Sequence, residues 1–204
     1  IYKTALEQFD KDQISIIGDS AGGTLIIKLI QQIEKESYPK QIILISPVLD
    51  ASLSNEKIKS IEPNDIMLAI KGVKSAKKIS LGSDDLTSHE ISPINGVKKQ
   101  FPKTTLFIGT FDITSIDQML FAELLKNNNT ALQVIKKDKM PHIWPLLPIM
   151  KESKLALNQI FAIASRLFIS CFSEENDSSY LWGNYADNNT GFCIEYNMKN
   201  YLSK

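Results

Sequence analysis

Ser20 lies in Gly18-Asp19-Ser20-Ala21-Gly22, preceded by the β-branched run Ile14-Ser15-Ile16-Ile17 and followed by Leu25, Ile26, Leu29, Ile30 and Ile33 at helical spacing. A buried strand running straight into an amphipathic helix through such a turn holds a serine in a strained backbone conformation, with its hydroxyl exposed above the sheet. Side chains at Gly18 and Gly22 are expected to collide with the neighbouring strands or helix. A phosphate-cradling turn is the competing use of such glycines, but neither G-x-G-x-x-G nor the Lys-Ser/Thr of a P-loop occurs in this sequence. Ser20 is therefore the candidate nucleophile.

A serine hydroxyl attacks only when a neighbouring base takes its proton, and histidine titrates in the right range. The chain has two histidines. His89 lies in the polar stretch Thr87-Ser88-His89-Glu90 with no strand before it, and reads as a surface residue. His142, in Met140-Pro141-His142-Ile143-Trp144, follows the strand-like Leu132–Lys136 and so falls at the same sheet edge as Ser20. The third member must be a carboxylate that fixes the imidazole tautomer and stabilises the imidazolium. Asp112 is the first acid after the apolar run Thr104–Gly109, whereas Asp117 falls at the start of the next helix and reads as a partner of the helix dipole.

The elements that must position these groups alternate. Ala5–Phe9 reads as a helix, Ile14–Ile17 as a strand, Thr24–Lys35 as a helix and Gln41–Ser46 as a strand buried on both faces. Residues 51–99 are polar and Lys-rich, with weak helical patterns at Ile66–Ile70 and Val73–Ile79, and read as an inserted cap. Strand Thr104–Gly109, helix Ile116–Lys126, strand Leu132–Lys136 and helix Lys151–Ala164 follow. The expected fold class is α/β, a mostly parallel sheet with flanking helices. Beyond Ser165 the alternation stops: Arg166–Phe172 and Gly191–Tyr196 read as strands of a short β-rich tail.

Composition narrows the chemistry. Among 204 residues, 23 Lys and Arg balance 23 Asp and Glu, which disfavours nucleic acid or an anionic membrane as partner and fits a small uncharged substrate. No run reaches the roughly 18 consecutive apolar residues of a membrane span. Cys171 and Cys193 read as a reduced pair of an intracellular protein, with a disulfide as the alternative, and the expected location is the cytoplasm. They have no His partners at zinc-ligand spacing, and neither a metal nor a cofactor is expected.

The order Ser20, Asp112, His142 is that of the α/β-hydrolases. Together with GDSAGG at 18–23, SPVLD at 46–50, SPI at 92–94, IGTFDITSID at 108–117 and MPHIWPLLP at 140–148, it resembles the hormone-sensitive-lipase-like carboxylesterases and lipases, bacterial members most of all. The resemblance covers residues 1–164. It implies that Ser20 attacks an ester carbonyl, that His142 is general base and then general acid, and that Asp112 orients His142. It further implies an oxyanion hole made of the Ala21 N–H and donors from an HGGG-type loop near the start of the domain. No His-Gly-Gly run exists here, and Thr114 stands where the family more often has leucine. The resemblance thus implies an N-terminally truncated copy, either a short-chain esterase of reduced activity or a non-catalytic relic acting at most as a binding module. Ser170-Cys171-Phe172-Ser173, Leu181-Trp182, Tyr185-Ala186-Asp187 and Gly191-Phe192-Cys193-Ile194 are similar to a signature of a family of uncharacterised bacterial proteins, which implies that residues 165–204 are a fragment of a second, unrelated domain in a fusion product.

Overall fold

The computed structural model describes residues 2–81, 85–89 and 91–163. The expected tail, with Cys171 and Cys193, lies outside the described residues. Helix α1 (Tyr2–Gln8) is followed by a 3-10 turn (Lys11–Gln13) whose N-cap Asp10 accepts from Asp12 N–H. Strand β1 (Ser15–Asp19) then runs into α2 (Ser20–Gln32), so the helix begins on the candidate nucleophile itself. Strand β2 (Gln41–Ile45) is buried at every position. After the intervening segment come β3 (Lys103–Gly109), whose last six residues are buried, and β4 (Leu132–Lys137).

The strands form one parallel sheet in the order β1-β2-β3-β4, with Ile43 beside Ile17 and Thr105, and Phe107 beside Ile135. Consecutive strands that step in one direction with right-handed crossovers place their connections on one face. The packing agrees: Ile27 and Ile30 of α2 share a core with Ile42, Leu44, Leu106 and Ile108 and with Phe121 and Leu125. The last two belong to the helix between β3 and β4, residues Ser115–Asn127. The opposite face, carrying Ile43, Ile45 and Phe107, is covered by Trp144 and by Ala156 and Ile160 of the last helix described, Lys151–Ile163. Residues alternate faces along a strand, so a strand covered on both sides must be apolar throughout, as Gln41-Ile42-Ile43-Leu44-Ile45 nearly is.

The cap segment departs from expectation. Ile66–Ile70 is not a helix; the segment instead holds α3 (Ile58–Ile61), a 3-10 turn (Glu62–Asn64) and α4 (Ile70–Leu81). The Asp65 carboxylate accepts from Met67 N–H and Leu68 N–H, both at 2.9 Å, which closes a turn where the apolar spacing suggested helix. Numbering the remaining helices in order, α5 is Ser115–Asn127 and α6 is Lys151–Ile163. Among the described residues no helix is long and apolar enough to cross a membrane.

Candidate active site

The sharp turn at the end of β1 is built by sterics. A Cβ on Gly18 would lie 2.6 Å from Ile26 Cδ1 and 2.7 Å from the Gly22 carbonyl carbon, so only glycine lets α2 fold back this closely. Ser20 is forced to φ 46°, a left-handed conformation that costs a serine on the order of 1–3 kcal/mol. The expectation for Gly22 is corrected: its nearest neighbour would be Asp19 Oδ1 at 4.0 Å, which is ordinary contact. The second crowded position is Gly23, where a Cβ would meet Pro47 Cβ at 2.7 Å. Thr24 Oγ1 donates to Val48 O at 2.6 Å, and Val48 N–H donates to Ser20 O at 3.3 Å, so the segment after β2 clamps the elbow. Ala21 is exposed at the second residue of α2, in the first turn, where backbone N–H groups have no acceptor within the helix and can serve an anion.

Asp112 and His142 meet in the interior. His142 Nδ1 lies 2.9 Å from Asp112 Oδ2, with the two residues 2% and 0% exposed. Burial alone would push the Asp112 carboxyl up. The hydrogen bond and charge of His142, with Thr114 N–H at 2.8 Å and Thr114 Oγ1 at 2.6 Å on Oδ1, outweigh it and hold the group below its ordinary range. An ionised Asp112 accepts the Nδ1 proton, which leaves Nε2 as the basic nitrogen. That Nε2 is buried and has no hydrogen-bond partner among the described residues, so the structure does not join it to Ser20 Oγ. Catalytic hydrogen bonds are often long before substrate arrives.

Strand order explains why the histidine needs a long return. Ser20 follows β1 and His142 follows β4, three strand spacings or roughly 14 Å apart. The chain after β4 therefore turns back over the tops of β3 and β2. Phe111 N–H donates to Met140 O at 3.0 Å, and Ile143 N–H donates to Ser46 Oγ at 3.0 Å at the end of β2. Ser46 and Ile143 both take left-handed backbones, φ 47° and 49°. Sequence reasoning missed Ser46 as an anchor, and it took Thr114 for a mere departure although Thr114 supplies two of the hydrogen bonds on Asp112. His89 is exposed, as expected of a surface residue.

Asp117 is also reassigned. It sits in the first turn of α5 but is 3% exposed, with a buried Oδ2 that has no hydrogen-bond partner among the described residues. Burial, and then the charge of Asp50, push its carboxyl up to about 7. The folded protein thus holds this proton more tightly than the unfolded chain, whose aspartates titrate near 3.9. Stability falls as pH rises from about 4 to about 7, and the full cost, up to roughly 4 kcal/mol, applies above that window. Asp117→Asn is expected to raise the urea midpoint much more at pH 8 than at pH 4.5, where only about a quarter of the cost has accrued. An equal effect at both pH values would refute the assignment.

A family model described as alpha/beta hydrolase fold matches residues 1–146. The chain belongs to the α/β-hydrolase fold family. An esterase from Acinetobacter venetianus is 30% identical over 128 residues, covering 60% of this chain and 42% of that protein. A crystal structure of a presumptive esterase from Staphylococcus aureus superposes with a TM-score of 0.74 at 28% identity, covering 83% of this chain and 58% of that one. An esterase of the bacterial hormone-sensitive lipase family gives 0.73 at 23% identity over 78% and 55% of the two chains, a likeness of fold alone. The chain spans about half the length of these α/β-hydrolase relatives. Among the described residues no group of three or more His, Cys, Asp or Glu side chains could hold a metal ion.

Proposed function

We propose that the chain is a serine hydrolase of carboxylic esters, of the hormone-sensitive-lipase-like branch, acting on small uncharged esters in the cytoplasm. The observation that carries this reading is the buried His142–Asp112 pair, at the same edge of the sheet as a serine strained into the left-handed region. In this reading Ser20 Oγ bonds to the ester carbonyl carbon while its proton passes to His142 Nε2. The negative charge gathers on the former carbonyl oxygen, where the Ala21 N–H is the donor this chain supplies. The C–O bond to the alcohol then breaks, and the leaving alkoxide takes the proton back from Nε2. Water, deprotonated by the same nitrogen, releases the acid from the acyl-serine.

The Asp112 carboxylate stabilises the imidazolium in both steps and keeps the ring from turning. In this reading residues 1–164 are the hydrolase domain and residues 165–204 part of another.

Treatment of the full chain with a fluorophosphonate, followed by peptide mass spectrometry, tests the reading. The expected result is a single adduct on the peptide containing Ser20, absent in Ser20→Ala and in His142→Ala. Folded protein that takes no adduct, and hydrolyses no short-chain p-nitrophenyl ester, would make the chain a non-catalytic member of its family.

A further inference from the structure

We propose that Asp65, on the cap segment between β2 and β3, is a positioning residue for Asp112, so that the cap and the Asp112 carboxylate move as one. This deepens the esterase reading and rests on it. The loop after β3 is tied on several sides: Thr110 Oγ1 donates to Asp138 and accepts from Lys139 N–H, and Asp112 accepts from Thr114 and Gln118. Thr110 N–H donates to Lys137 O and Phe111 N–H to Met140 O, both toward the chain leaving β4. Thr114 N–H turns back onto Asp112 Oδ1. Ile113 N–H, adjacent to Asp112, donates at 2.8 Å to Asp65 Oδ2, a carboxylate 48 positions away in sequence.

A buried backbone N–H must find an acceptor, and a charged one gives about twice the bond of a neutral one. The other oxygen of Asp65 is already committed to Met67 N–H and Leu68 N–H. The carboxylate therefore joins the cap turn to the acid loop through two separate atoms. Packing reinforces the link, because Ile113 is buried with Leu53 and Ile58 while Leu68 and Ile70 of the cap lie against them. Whatever displaces the cap, an entering acyl group included, is transmitted to Ile113 and so to Asp112.

The experiment uses the full chain and Asp65→Asn. An asparagine has one acceptor oxygen, and two N–H groups of the cap turn claim it, so the amide NH2 faces Ile113 N–H and only the link to the acid loop is lost. The rate of Ser20 labelling by the fluorophosphonate at saturation is expected to fall about tenfold, with the concentration for half-saturation unchanged, as for one lost hydrogen bond to a charged group. Irreversible loss of fold would lower the final yield of adduct and leave the rate of the folded fraction alone, and circular dichroism before labelling checks that the fold is retained. In parallel, the downfield proton resonance of His142 Nδ1–H is expected to shift in the variant, a readout that needs no turnover.

Labelling of the wild type with an unchanged rate and an unchanged resonance in Asp65→Asn would overturn the role of Asp65. A wild type that takes no label overturns the esterase reading instead, and the resonance still decides whether Asp65 governs the Asp112–His142 contact.

Discussion

Asp112→Asn is expected to leave the chain folded and to lower ester hydrolysis by about 10,000-fold. The size follows from which atom of the amide goes where. Oδ1 accepts from both the N–H and the hydroxyl of Thr114, so the single oxygen of asparagine is claimed there. Its NH2 then faces His142 Nδ1, at the 2.9 Å where the carboxylate accepted a proton. Nδ1 must become the acceptor, the ring proton moves to Nε2, and the nitrogen that should deprotonate Ser20 is no longer basic. Steady-state hydrolysis of p-nitrophenyl acetate measures the effect, with far-UV circular dichroism as the check on folding. Activity within tenfold of wild type would remove Asp112 from the mechanism.

Gly109→Ala is expected to cost the protein about 1–3 kcal/mol or more and to abolish labelling of Ser20 in what remains folded. A Cβ at the last residue of β3 would collide with Met140 O and lie 2.7 Å from Pro141 O and 2.9 Å from Met140 C, all of them backbone. The collision cannot be relieved by a side-chain rotation, and the same backbone is tied down by the bond from Phe111 N–H to Met140 O. The least costly response is for the loop carrying His142 to lift off the sheet. Gly72 is the internal comparison: a Cβ there meets nothing within 4 Å, and it lies inside α4. Gly72→Ala should stabilise by about 1 kcal/mol through helix propensity. Urea unfolding of both variants checks the pair, and similar midpoints would show that the approach of β3 to the histidine loop is loose.

The sheet, the turn at Ser20 and the buried Asp112–His142 pair were legible because each is written locally. Ser20 follows a β-branched run and opens a helix whose apolar spacing is regular, and Asp112 and His142 each follow an apolar strand. What was not legible depends on residues far apart in the chain. Asp117 looks like any acid in a first turn until α5 is docked, when the face carrying Phe121 and Leu125 also buries Asp117 and Gln118. Gly22 and Gly23 are indistinguishable until Pro47 is placed against one of them. Asp65 and Ser46 carry no motif, and their partners, Ile113 N–H and Ile143 N–H, are brought to them only by the assembled sheet. In the cap, the four residues of α3 are too few for periodicity to register, and a side-chain cap at Asp65 overrides the apolar pattern of 66–70.

The parallel arrangement also sets a schedule for synthesis. β2 is covered on one edge by β1, but its other edge pairs with β3, which puts Ile42 beside Thr104. A nascent chain that has just made β2 must add roughly 60 residues before that partner exists, about 3–12 s at a rate of about 5–20 residues per second. During that wait Ile42, Ile43, Leu44 and Ile45, all almost fully buried in the end, have an unpaired edge and incomplete cover. Slower growth at low temperature or a supply of holdase chaperones should therefore raise the recoverable yield of this protein more than any change to its surface.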